Sequence, residues 1–145
     1  MPRPKNSRYV FEPPLFTEFK PVGVAARTLR SNRLALDEYE AIRLADFQGL
    51  SHEEAADEMG ISRSTFSRLV VGARKKVSDS IVNGKMLNIE GGPIHFRNNI
   101  IRCMNCGNIF KIKISNAMLR CPECGSANLQ NLAGGFGHGR CCTNY

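Results

Sequence analysis

Four of the six cysteines have the residue type and the spacing of a metal site. Cys103 and Cys106 form one C-x2-C pair, and Cys121 and Cys124 form a second pair fourteen residues later. In an intracellular chain this spacing favours a metal over a disulfide framework, because thiols stay reduced there. Four thiolates arranged tetrahedrally suit one Zn²⁺ per chain in a closed structural site. Iron held by the same four thiolates is the alternative.

The other candidate ligands are His52, His95, His138, Cys141 and Cys142. The last three lie in residues 133–145, where glycines are frequent and apolar residues are rare. We therefore expect a flexible tail that provides no frame for a ligand. The alternative is that the vicinal cysteines and the nearby histidine bind a soft metal or sense oxidation. The first two histidines have no candidate ligand nearby in the sequence, and we interpret them as surface or packing residues.

Charge is distributed unevenly along the 145 residues. Residues 36–60 have a balance of −7, whereas residues 1–35 and 61–92 have +5 and +4. An acidic block between two basic ones indicates a polarised surface with one face suited to an anion. The sequence shows no catalytic triad, phosphate-binding loop or open three-ligand metal site, so we do not expect an enzyme. Without a secretory signal or a spanning apolar run, we expect a soluble cytoplasmic protein with no membrane partner.

Composition and local signals divide the chain into four predicted segments. These are a basic, Pro-rich arm and packing segment (1–35), a helical domain (36–92), a cysteine module with short strands (93–132) and the tail (133–145). Cap signals predict three helices in the second segment. The signals are Asp37 with Glu40 and then Gly49, Ser51 with Glu54 and then Gly60, and Ser62 followed by Gly84.

The third predicted helix has a buried stripe and a distinct outer face. Apolar residues such as Phe66, Val70 and Ile81 recur every three to four positions. With Phe66 at zero on a helical wheel, Ser64, Arg68 and Lys75 lie at about 160°, 200° and 180°. No carboxylate precedes Asp79, so this face suits the major groove of DNA, where Arg68 can bind guanine. A helical hairpin within a bundle, with a solvated run of basic residues, is the alternative.

Basic residues of the arm are predicted to follow the DNA backbone or enter the minor groove. They are Arg3, Lys5 and Arg8.

Two segments resemble region four of bacterial sigma factors: Leu36–Asp46 (LDEYEAIRLAD) and Leu50–Phe66 (LSHEEAADEMGISRSTF). With the opening Met-x-Arg-Pro and Phe19–Gly23 (FKPVG), the chain resembles more closely an uncharacterised prokaryotic family of predicted DNA-binding proteins. The resemblance spans residues 1–92. It implies a mainly α fold, with a trihelical helix-turn-helix domain of the winged-helix-like superfold. It also implies DNA binding through Arg63, Ser64, Thr65, Ser67 and Arg68.

The cysteine module resembles a zinc ribbon across roughly residues 98–130. A module of this size cannot hold a core unaided, so the metal would supply folding free energy. Together the two resemblances imply a sequence-specific regulator of transcription that binds double-stranded DNA. RNA polymerase and a second copy of the chain are further candidate partners. The alternatives are a rubredoxin-like electron carrier or redox sensor with a helical docking domain, and a protein adaptor at RNA polymerase.

Overall fold

The computed structural model describes residues 7–114, 116, 120–138 and 142. Within them the chain is 37% helical and 23% strand, with three helices and about eight strands in three sheets. The predicted mainly α, trihelical fold is therefore wrong. The helices are α1 (Leu36–Ile42), α2 (His52–Met59) and α3 (Arg63–Asn83). The strands are β1 (Arg8–Val10), β2 (Glu18–Phe19), β3 (Ser31–Leu34), β4 (Met86–Ile89), β5 (Ile94–Phe96), β6 (Asn98–Cys103), β7 (Ile109–Lys113) and β8 (Leu129–Asn131).

The chain divides into two compact units. One comprises Phe16–Ile94 with the described residues up to Tyr9. The other comprises Val10–Leu15 with the described residues from His95 onward. The fold class differs from the prediction partly because residues 1–35, predicted as a basic, Pro-rich arm and packing segment, contribute strands to a sheet of the first unit.

The first unit contains a three-stranded sheet in the order β2-β4-β3. β3 is parallel to β4 from Ser31↔Met86 to Leu34↔Ile89, and β2 is antiparallel to β4. β4 is thus the central strand, so the region predicted as a linker or a short strand is a strand. The Pro-rich segment supplies both of its neighbours. Strands of only two to four residues are too short to show a strand pattern in the sequence, so this pairing could not be predicted locally.

Helices α2 and α3 begin and end where the cap signals predict. Ser51 Oγ accepts the N–H of Glu54 (3.1 Å), and Glu54 Oε1 accepts the N–H of Ser51 in return (3.3 Å). Gly60 ends α2 with φ of 70°, where a Cβ would also meet the Tyr9 ring at 3.2 Å. Ser62 Oγ accepts the N–H of Thr65 (3.2 Å) and so caps α3.

The start of α1 differs from the predicted capping box. Its N-cap is Ala35, whose N–H is accepted by Glu38 Oε1 (3.0 Å). Asp37 is instead buried in an ion pair with Arg8, and Glu40 is buried in one with Arg43. Asp37 is therefore bound by a residue 29 positions away in the sequence, whereas Glu40 is bound by Arg43 three positions along the chain.

The helices share an apolar core in which large side chains pack on small ones. Its buried residues are Ala41, Leu44, Ala55, Ala56, Met59, Phe66 and Val70. Small Ala55 and Ala56 allow α2 to approach α3 closely. Ile81, predicted in the buried stripe, is 77% exposed, so the stripe of α3 does not extend to its last turn.

The second unit contains an antiparallel sheet in the order β7-β6-β8. After β8 the chain turns inward, burying Leu132 and Ala133, and forms a 3₁₀ turn at Gly134–Phe136. Cys142 is only 2% exposed. In place of a flexible tail, the described residues of this segment pack on the unit. Cys141 lies outside the described residues.

Candidate functional site

The structure brings the four cysteines of the predicted metal site together. Their Sγ atoms all lie within 4.8 Å of one another. Cys103 Sγ is 3.6 Å from Cys124 Sγ, and Cys106 Sγ is 3.7 Å from Cys121 Sγ. Around a tetrahedral ion with metal–sulfur bonds of about 2.3 Å, neighbouring sulfurs are about 3.8 Å apart. The four cysteines could therefore hold one metal ion.

Two similar backbone turns position the thiols. The N–H of Gly107 donates to the Cys103 carbonyl and that of Gly125 donates to the Cys121 carbonyl, each at 2.9 Å. Both glycines have positive φ, at 77° and 74°, which is costly for other residues. Cys103 ends β6, so the sheet fixes the first turn.

Backbone N–H groups stabilise the thiolate form of part of the set. The N–H of Cys124 lowers the pKa of Cys121 to about 6, and the N–H of Glu123 acts in the same direction. The N–H of Ser126 lowers the pKa of Cys124. Amide donors directed at sulfur favour the ligand form of a cysteine. Cys121 and Cys124 are therefore favoured in the thiolate form that binds a soft or borderline cation.

The predicted DNA-contact residues on α3 fall into two groups. Arg63, Ser64, Arg68 and Lys75 are exposed. Ser67 is partly buried, and its Oγ lies 2.8 Å from His52 Nδ1. The Thr65 Oγ1 accepts a hydrogen bond from the Oγ of the cap residue Ser62 (2.8 Å). The hydroxyls of Ser67 and Thr65 thus have structural partners. The first group lies on the surface, although Ser64 Oγ is 3.3 Å from Ser62 Oγ.

The arm residues do not form one exposed group. Arg8 is 8% exposed in β1, where its guanidinium donates to the buried Asp37 carboxylate. A side chain in this position is not available to DNA, so its prediction as a contact residue is corrected. Arg3 and Lys5 lie outside the described residues.

A cleft of about 680 Å³ lies beside the face of α3 that carries Arg68. Arg33 from β3 lines it, together with Lys76 from α3, whose Nζ is 2.7 Å from Glu38 Oε1. The acidic groups at this cleft are therefore paired with cations. Sequence reasoning missed this cleft because β3 was not predicted.

Sequence reasoning also missed a second cluster of potential ligands. His95, His138 and Cys142 each place one donor atom within 4.8 Å of the other two. The spacing of His138 and Cys142 was the only local signal. His95 was interpreted as isolated because it is far away in the sequence.

No helix in the described part of the chain has the length and apolar character required to cross a membrane.

Comparison with known proteins identifies the family. The family model described as "Protein of unknown function DUF134" matches residues 1–97. A UPF0251 protein of Chloroherpeton thalassium is 48% identical over 143 residues, covering 97% of this chain and 95% of its own length. The UPF0251 protein of Moorella thermoacetica is 45% identical over 142 residues, covering 97% and 93%. No solved structure matches the chain significantly. The chain therefore belongs to the DUF134/UPF0251 family of proteins of unknown function.

Proposed function

We propose that this protein binds double-stranded DNA sequence-specifically, regulates transcription, and reads the major groove with the N-terminal half of α3. The observation that carries the proposal is the exposed face of this helix. Ser64, Arg68 and Lys75 lie on it. Except for Asp46, which lies between α1 and α2, the acidic residues of the helical segment before α3 lie on those two helices, and no carboxylate precedes Asp79 on α3. A reading helix needs donors for base edges and no carboxylates against the phosphates.

The apolar content of the same face supports groove contact. Val71 follows Arg68 on the outer side of α3 and is 61% exposed. An exposed apolar side chain between cations suits the methyl group of thymine. The first carboxylate of α3, Asp79, accepts hydrogen bonds from Lys85 Nζ (2.7 Å) and Asn32 Nδ2 (2.9 Å). Lys85 and Asn32 hold the pKa of Asp79 well below its ordinary range, and Lys85 balances its charge.

Helices α2 and α3 supply the remaining requirements of a helix-turn-helix reader. Residues 60–62 separate them, and the left-handed Gly60 sets the turn. In such a pair the second helix enters the major groove with its N-terminal residues nearest the bases. Arg63 and Ser64 occupy that end of α3. In this proposal, Lys5 and Arg3 contact the phosphate backbone of the DNA.

We further propose that the four-cysteine cluster holds a structural Zn²⁺. A closed set of four thiolates matches the donor type and geometry of structural zinc. Elemental analysis of the purified protein tests this directly. Zinc gives a colourless protein, whereas iron in a four-thiolate site gives a red one and would support the electron-carrier reading instead.

DNA affinity is expected to fall steeply with salt. Neutralising about five phosphates gives a slope near −4 to −5 in a plot of log K against log salt concentration. Fluorescence anisotropy with a labelled duplex of random sequence measures this slope. A slope near zero, or no DNA binding at a low salt concentration of about 50 mM, would contradict the proposal.

Arg68→Ala is expected to reduce discrimination between the preferred site and random DNA by about 1–3 kcal/mol, because a bidentate base contact is lost. The preferred site is first selected from a random duplex library with the wild-type protein. Lys5→Ala, which removes a predicted phosphate contact, should weaken both duplexes equally.

Arg74→Ala is the matched control on the same helix. Its guanidinium is bound by the Asp46 carboxylate through two hydrogen bonds of 3.0 and 2.7 Å. It should leave the discrimination unchanged. If the Arg68 variant discriminates between the preferred site and random DNA as well as the Arg74 variant and the wild type do, α3 is not the element that recognises the DNA sequence.

A further inference from the structure

A second set of potential metal ligands lies in the second unit, separate from the four cysteines. Its members are His95 on β5, His138 after the 3₁₀ turn, and Cys142. Cys142 Sγ is 3.7 Å from His95 Nδ1 and 3.6 Å from His138 Nδ1. The two imidazoles thus direct the same ring nitrogen at one buried sulfur.

Ordered backbone holds each member of the cluster. The N–H of Phe96 donates to Cys142 Sγ at 3.2 Å, which ties the sulfur to β5. The N–H of His138 donates to the Ala133 carbonyl (3.0 Å). The N–H of Ala133 in turn donates to Asn99 Oδ1 on β6 (3.0 Å). Two strands therefore position the ligand atoms before any ion binds.

Aromatic packing fixes the orientation of the His138 ring. Its ring meets the Phe96 ring edge-on, with centroids 5.4 Å apart and planes at 86°. Phe96 also packs on Phe136, in the turn that precedes the histidine. A ligand whose ring is held by packing loses little freedom when it binds an ion.

The distances match those around a tetrahedral borderline cation. With metal–nitrogen bonds of about 2.0–2.1 Å and metal–sulfur bonds of about 2.3 Å, neighbouring nitrogen and sulfur ligands are about 3.6 Å apart. Which of the three atoms donates a hydrogen bond depends on the tautomers of the two histidines, whereas a cation accepts a lone pair from each of the three atoms.

We propose that His95, His138 and Cys142 bind a second metal ion, which is a borderline cation such as Zn²⁺. A donor set of two nitrogens and one sulfur suits zinc and other borderline cations, whereas Mg²⁺ and Ca²⁺ require oxygen ligands. The ion joins the C-terminal segment to β5. This site does not depend on DNA binding or on the metal at the four cysteines.

Metal stoichiometry of the full-length chain tests the proposal. Purified protein is loaded with Zn²⁺ under reducing conditions, desalted, and measured by elemental analysis. We expect two zinc ions per wild-type chain and one in Cys142→Ser or His95→Gln. The matched control is His52→Gln, because His52 Nδ1 contacts Ser67 Oγ in the other unit. That variant should keep both ions.

Cobalt substitution identifies which ion is lost. Co²⁺ bound by four thiolates and Co²⁺ bound by one thiolate and two imidazoles differ in the intensity of their sulfur charge-transfer bands. The Cys142→Ser and His95→Gln variants should lose only the weaker spectrum, and millimolar Mg²⁺ should not compete. Circular dichroism verifies that each variant is folded. A metal content that both Cys142→Ser and His95→Gln leave unchanged from the wild type would overturn the proposal, whatever the four cysteines hold.

Discussion

Removing the metal held by Cys103, Cys106, Cys121 and Cys124 is expected to unfold the β6–β8 sheet and to leave the helices intact. The sheet has little core of its own, because every side chain of β7 and β8 is exposed or only half-buried. Apparent zinc-binding free energies of about 10–16 kcal/mol supply the folding free energy of such modules. The helices have a separate core around Met59, Phe66 and Val70, so they should not require the metal.

Cys121→Ser is the variant that measures this effect. It should lose the four-thiolate metal and the amide protection of β6, while the far-UV helical signal stays nearly unchanged. Cys142→Ser is the matched control, since it removes a buried thiol in the same unit but should retain the four-thiolate metal. Loss of the helical signal upon chelation would show that the helices require the metal. Full retention of the four-thiolate metal by the Cys121 variant would overturn the ligand assignment.

Arg8→Met is expected to destabilise the first unit by about 3–5 kcal/mol, because it leaves the buried Asp37 carboxylate without its cation. The side chains of the pair are 10% and 5% exposed, respectively. Urea unfolding followed by circular dichroism measures the change. The double variant Arg8→Met/Asp37→Leu should recover much of the loss, since no buried charge then remains unpaired.

Arg74→Met provides the comparison for an exposed pair. Its partner Asp46 is also within hydrogen-bonding distance, at 2.7 Å, but both side chains are more than 40% exposed. The expected cost is about 0.2–1 kcal/mol, because solvent screens the interaction. Equal costs for the Arg8 and Arg74 variants would show that burial does not determine the contribution of the Arg8–Asp37 pair.

Local chemistry explains which elements could be predicted from the sequence. The limits of α2 and α3 depend on side chains within three residues of each helix end, such as Ser51 with Glu54 and Ser62 with Thr65. The four-cysteine cluster likewise depends on two short, repeated turns. These features require no knowledge of distant parts of the chain, and the structure has them as predicted.

The missed features all require partners far away in the sequence. β3 is a strand because it pairs with β4, on the other side of the helical segment. Asp37 does not cap α1 because Arg8 pairs with it. Cys142 is buried because Phe96 donates to its sulfur. Neither composition nor periodicity records such contacts, so neither the fold class nor the packing of the described residues after β8 was predicted.

The parallel pairing of β3 and β4 makes the helical segment one closed loop. Parallel neighbours need a crossover connection, and the three helices provide it. The entropy of closing such a loop changes slowly, at about 0.6 kcal/mol for each doubling of its length. Residues added at the exposed turn around Gly49 would therefore change the closure cost little. A one-residue slip of Leu34 against Ile89 would instead turn every side chain of the strand to the opposite face. Evolution can thus vary the length of the helical segment far more freely than the alignment of the two strands.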